Sequence, residues 1–120
     1  TTTMQRAFMF CEDFNVDVSG WDVSSVNTFH SCFRGATSFD QNLASWTIAQ
    51  VTTFASLFHS AGLSTANYDA TLIGWDAQSV QDSVPAHFGS SKYTGGGAAA
   101  AARANLISAN SWTFTDGGTA

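Results

Sequence analysis

Large apolar residues recur along this chain at a fixed interval of 25. Phe14 and Phe39 are 25 apart, as are Val18 and Leu43, Trp21 and Trp46, Val23 and Ile48, and Val26 and Val51. Phe29 and Phe54, then Phe33 and Phe58, continue the series, and Met4 and Phe8 precede Phe29 and Phe33 by the same interval. Self-similarity at one period in so many columns is the signature of stacked repeats. The units run as an incomplete 1–13, in which the chain starts mid-unit, then 14–38 and 39–63, then an offset partial unit over 68–80. In the last, Tyr68 and Trp75 repeat the seven-residue spacing of Phe14–Trp21 and Phe39–Trp46, and AGLSTAN carries a four-residue insertion. Leu72, Gly74 and Val80 take the places of Val18, Gly20 and Val26. After Val80 the pattern dissolves, as it does where a terminal cap replaces a repeat, so 81–120 reads as a cap continuous with the same core.

Within a unit the spacing changes character. Met4, Ala7, Phe8 and Cys11 fall at i, i+3, i+4 and i+7, the apolar stripe of a short helix. The stripe recurs in Phe29, Cys32, Phe33 and Ala36 and in Phe54, Leu57, Phe58 and Ala61, with Gly35 and Gly62 near the expected helix ends. The preceding WDVSSVNTF and WTIAQVTTF are rich in β-branched residues and predict short strands. One strand and one helix per 25 residues matches leucine-rich-repeat spacing. The fold class predicted is an α/β repeat solenoid of right-handed coils, with a short parallel sheet, a row of short helices and a C-terminal α+β cap. In the cap, VPAHFGS predicts a strand and AAAAARANLISA a helix of high propensity. Alternating Trp112, Thr113, Phe114 and Thr115 predict a last strand closed by an Asp-Gly-Gly turn. The Asn15/Asp40 and Asp17/Asn42 columns predict turns and hydrogen-bond ladders between units.

Composition narrows the function classes. Of 120 residues, 44% are hydrophobic and 11% charged, which excludes intrinsic disorder. The net charge of −5 leaves Arg6, Arg34, Lys92 and Arg103 as the only cations other than histidine, too few and too scattered for a nucleic-acid groove. No apolar run approaches the roughly 18 residues of a membrane span, and no basic segment followed by an apolar one marks a signal peptide. Two cysteines do not make a disulfide framework. A polar complement drawn from Ser, Thr, Asn and Gln suits a secreted repeat protein.

The stretch FNVDVSGWDVSSVNTFHSCFRGATSFDQNLASWTIAQVTTFASLF resembles the bacterial surface-protein repeat family called DUF285 or BspA-like, in order and spacing alike, over residues 1–80. The family's usual Met column holds Phe29 and Phe54 here, with Met only at Met4. The tail, NYDATLIGW and SSKYTGGGAAAAARANLISANSWTFTDGG, is similar to the C-terminal element that often ends such arrays. The resemblance implies a leucine-rich-repeat-like fold and an extracellular or cell-surface setting, and it brings no catalytic motif.

No reactive constellation emerges from the residues. The Trp-Asp pairs at Trp21 and Trp75 do not mark propeller blades, which need about 40–45 residues each. His30, His59 and His87 lack zinc-ligand spacing and read as surface positions. Asp13, Asp17, Asp22 and Asp40 lack a calcium-loop pattern and read as turn residues. Cys11 and Cys32 occupy stripe columns and are expected to face inward, either bridged between neighbouring units or as buried thiols. YTGGG lacks the Lys-Ser/Thr of a phosphate loop, and no Gly-x-Ser-x-Gly elbow occurs. A glycosidase would need a paired carboxylate in a cleft, which nothing here predicts. The expectation is therefore a non-catalytic surface or adhesion module, with no cofactor or metal. Its partners would be a protein or glycan at a surface, met through His30, Arg34 and His59, or copies of itself. The alternative is a structural subunit that stacks or decorates an extracellular filament or virion through Met4, Phe8 and Phe10.

Overall fold

The computed structural model describes residues 3–120. Residues 1 and 2 of the expected first unit lie outside them. The chain is a small α/β protein with two helices, α1 (Thr65–Asp76) and α2 (Ala98–Asn110), and two strands, β1 (Pro85–His87) and β2 (Thr113–Thr115), which pair in parallel. All four elements lie beyond residue 64.

The stripes predicted as helices are not helical, and the segments predicted as strands within the units, WDVSSVNTF and WTIAQVTTF, are not strands. Residues 4–10, 29–35 and 54–60 form turn ribbons, and only single parallel bridges join Thr3 to Thr28 and Thr28 to Thr53. In each ribbon every fourth residue is left-handed, at Arg6 and Phe10, Ser31 and Gly35, and Ser56 and Ser60, all with φ between 56° and 71°. These are two columns of the 25-residue repeat. Alternate amides divide their hydrogen bonds. Ala7, Met9 and Cys11 donate three residues back, whereas Met4, Arg6, Phe8 and Phe10 donate to the carbonyls of Thr28, His30, Cys32 and Arg34 in the next unit. Phe29, Ser31, Phe33 and Gly35 donate in the same way to Thr53, Ala55, Leu57 and His59. The backbone is satisfied partly within a unit and partly between units, where a helix would satisfy it within the unit alone.

This ribbon turns inward the residues that a helical stripe would. Phe8, Phe33, Phe58 and Phe88 stack in one column with centroids 5.7, 5.5 and 5.6 Å apart. Phe14, Phe39 and Tyr68 form the column beside it, Phe39 lying 4.1 Å from Phe33 and Tyr68 4.7 Å from Phe88. Trp46 and Trp75 are fully buried, and each indole N–H donates at 2.9 Å to the carbonyl of the preceding unit, Val18 and Leu43 respectively. Those carbonyls are 25 residues apart, so Trp75 occupies the Trp46 position although α1 has replaced the irregular backbone around it. The insertion supplies the extra length, and Ser64 caps α1 by accepting from Asn67 N–H.

The polar columns behave in two ways. Asn15 Oδ1 accepts Asp40 N–H at 2.9 Å, and Asp40 Oδ1 accepts Ser64 N–H and Asn67 Nδ2, tying unit to unit. Burial opposes the Asp40 charge, but those donors outweigh it and hold the carboxyl below its usual range. Asp17 and Asn42 instead close turns within their own units, onto Ser19 N–H and Ala44 N–H. At the other end α2 buries Ala99, Ala102 and Leu106. Asp116, in the Asp-Gly-Gly turn, accepts from Tyr68 OH at 2.5 Å and from Arg103 Nε at 2.9 Å, which fastens the last turn to both helices. Burial and then the Asp116 hydrogen bond and charge push the Tyr68 phenol well above its usual range.

Cys32 is buried as expected, but Cys11 is exposed, and both are free thiols. Ala36 and Ala61 in the same column are buried, so the ribbon does turn this column inward; Cys11 lies in the first unit, where Met4, Ala7 and Phe8 are likewise less covered than Phe29, Cys32 and Phe33. Burial pushes the Cys32 thiol up to about 12, against the weaker pull of hydrogen bonds from Phe8 and Ala7. At pH 8 the thiolate is then roughly one part in ten thousand of Cys32. Native protein should release one equivalent of chromophore from a thiol reagent at once, from Cys11, and the second only in denaturant. Two rapid equivalents would contradict the burial of Cys32.

The left-handed columns give a second prediction. Ser56 has φ 56°, and its hydroxyl makes no hydrogen bond among the described residues. A left-handed L-residue costs about 1–2 kcal/mol, against the 0.5–1 kcal/mol that a glycine loses in chain entropy. Ser56→Gly should therefore stabilise the protein by up to about 1 kcal/mol, seen as a melting point raised by a few degrees. A lowered melting point would mean that the ribbon conformation is wrong at that column.

Candidate functional site

The ribbon columns place side chains in rows, one per unit, on the outer face. His30 and His59 each precede a left-handed serine, Ser31 and Ser60, and in both cases the left-handed turn folds the serine hydroxyl back onto the imidazole Nδ1 at 3.1 Å. The two histidines stand in different columns, however. Arg34, not His30, is 25 residues from His59, and Gly35 N–H donates to His59 O beside it at 2.9 Å.

The structure brings His59 to His87. Their ring centroids are 5.4 Å apart and the rings are tilted by 45°. They line an open cleft of about 630 Å³ together with Thr37, Ser60, Gly89 and Ser90. The juxtaposition comes from a change in backbone rise. Phe54 N–H donates to Pro85 O and Phe58 N–H to His87 O, so two residues of extended β1 cover the length of four ribbon residues. The register, already shifted from 25 to 29 by the insertion before α1, is broken again at β1, and His87 arrives beside His59 at a separation of 28. Sequence reading named His87 but gave no signal for this pairing.

Beyond His87 the chain turns on Gly89, left-handed at φ 59°, whose N–H donates to His87 Nδ1 at 3.1 Å. Burial, and then the neighbouring His59 charge, hold His87 below the usual imidazole range. Ser90 Oγ is held by Ala61 O. The lining carries imidazoles, hydroxyls and bare backbone, and none of its side chains is a carboxylate. Such a set donates and accepts hydrogen bonds to a polar ligand.

The sequence profile of one family, described as "Mycoplasma protein of unknown function, DUF285", matches residues 1–95. The chain belongs to the DUF285 family. The match takes in every ribbon and the whole His59–His87 cleft of this DUF285 chain, and leaves all of α2 and β2 outside it. No match was found among curated proteins or among solved structures.

The remaining sequence candidates are dispersed. Arg34 is half-buried, and its Nε has no acceptor among the described residues. Met4 and Phe8 are half-buried, Phe8 stacking on Phe14 at 4.2 Å. Phe10 is 59% exposed, with its ring over Gly35. A second, smaller polar cleft of about 360 Å³ lies among Asp17, Ser19, Gln41, Asn42, Ser45 and Asn67, along the amide ladder. Among the described residues no cluster of three or more His, Cys, Asp or Glu side chains is arranged to hold a metal, and no helix is long and apolar enough to cross a membrane.

Proposed function

We propose that this DUF285 chain is a non-catalytic module of an extracellular or cell-surface protein that presents a fixed binding face to a protein or glycan. Its 25-residue units are read as successive coils of a solenoid, in which the turn ribbon takes the place that helices and strands take in leucine-rich repeats. The observation that carries the reading is the ribbon ladder: interunit hydrogen bonds hold one row of outward side chains per unit at fixed spacing. Such rigid scaffolds lower the ordering cost of recognition. The hydroxyl- and imidazole-lined cleft sits on that face. The test is to probe glycan and cell-surface protein panels with the purified chain, and to label intact producing cells from outside. Binding together with outside labelling is expected. No labelling and no binding in any panel would sink the reading.

A second reading is favoured by one observation. Phe10 and Val16 are 59% and 55% exposed, and Phe8, Phe14 and Trp21, which pack on one another, are only half-covered. Apolar surface gathered in this way suits contact between copies, with Met4, Phe8 and Phe10 in the interface of a filament or decorated assembly. Sedimentation at high concentration decides it. A stable monomer rejects self-stacking.

A further inference from the structure

We propose that the His59–His87 cleft binds the carboxylate of an acidic sugar, the two imidazole Nε2–H groups donating to its oxygens and the serine and threonine rim meeting its hydroxyls. This rests on the binding-module reading and names the ligand class for that site.

The tautomers lead to it. A backbone N–H can only donate, so His87 Nδ1, which receives Gly89 N–H at 3.1 Å, carries no proton, and the neutral ring bears it on Nε2. A ring in that state donates from Nε2 and cannot ligate a metal there. His59 Nδ1 faces Ser60 Oγ at 3.1 Å. When that hydroxyl donates, His59 too bears its proton on Nε2. The protein hydrogen bonds of both rings run through Nδ1, and neither Nε2 has a partner among the described residues. Two imidazole rings whose centroids are 5.4 Å apart, both lining one cleft and each with an Nε2 left over, fit an acceptor with two oxygens.

The lining selects further. None of its side chains is a carboxylate, so nothing within the cleft competes for the donors or repels an anion. Burial and the nearby His59 charge both work against a proton on His87, and a bound carboxylate would offset both. The hydroxyls of Thr37, Ser60 and Ser90 stand around the donors, and no large apolar side chain is present. Peptide recognition draws mainly on buried aromatic and arginine anchors. A ligand that carries its own hydroxyls matches this rim better than an acidic peptide does.

The experiment follows the ring signals of His59 and His87 by NMR while the intact chain is titrated with glucuronate, with glucose, oligoglutamate and Zn²⁺ in separate arms. Saturable shifts of both rings with glucuronate are expected, His30 staying unmoved, with glucose weaker by roughly tenfold or more. His59→Ala should weaken glucuronate by roughly tenfold while its melting point stays near that of the parent. Rings unmoved by glucuronate would overturn the proposal, and so would an equal response to glucose or a response to oligoglutamate or Zn²⁺ alone. Each of those results leaves the binding-module reading standing, since that is tested over the whole surface.

Discussion

Phe33→Ala should cost about 3–5 kcal/mol of folding free energy, the largest loss expected from any single aromatic truncation in the ribbons. Phe33 is fully buried within its own aromatic column and packs against the column beside it. Its ring lies 4.1 Å from Phe39, 5.5 Å from Phe58, 5.7 Å from Phe8 and 6.3 Å from Trp46. Truncation removes transfer free energy and leaves a cavity that the neighbours cannot close, because their backbones are fixed by the ladder on either side. Domains of this size are stable by only about 5–15 kcal/mol, so the variant should lose a large share of its stability. Phe8→Ala is the control. Phe8 is half-covered and stacks from one side, so about 1–2 kcal/mol is expected. Urea unfolding of both variants checks the pair. Equal losses would show that units contribute independently of their neighbours, contrary to the stacked columns.

The second large effect is expected at Gly89. Its φ of 59° costs an L-residue about 1–2 kcal/mol. A Cβ there would also collide with the backbone carbonyls of Phe58 and Ala61. Those carbonyls belong to the third ribbon, which is held by the stack and cannot retreat as a flexible side chain would, so about 1–3 kcal/mol of overpacking adds to the backbone term. Gly89→Ala should therefore destabilise by about 2–5 kcal/mol in urea titration. Below the unfolding transition it should also turn His87 away from His59, because Gly89 N–H is what orients the His87 ring. A loss under 1 kcal/mol with both ring signals unchanged would mean that the turn accommodates the methyl and the close packing of β1 on the third ribbon is incorrect.

Much of this could be read from the residues, and the part that could not has a definite cause. The 25-residue columns foretold which side chains stack, from Phe8 to Phe58, and foretold that Trp75 would stand where Trp46 stands despite the insertion. The C-terminal elements were legible as well. The alanine-rich helix and alternating Thr113–Thr115 strand form as predicted, because propensity and apolar period agree there. The sequence did not disclose α1, since Tyr68, Leu72 and Trp75 serve the repeat register and the helix equally well. Cys11 was misplaced because its column, buried at Ala36 and Ala61, was assumed to be equally covered in the first unit.

The sequence by itself determined the period of the chain, and with it the members of each buried column, because burying one large apolar side chain per unit per column leaves little freedom in register. Only the tertiary structure decided the backbone between those columns. An i, i+3, i+4, i+7 stripe serves a four-residue ribbon as well as a 3.6-residue helix, and the choice turns on whether amides find partners inside a unit or in the next one. Tertiary structure alone also paired His59 with His87. That contact exists because extended β1 spans in two residues what the ribbon spans in four, a mismatch of rise that appears only when the two lie side by side.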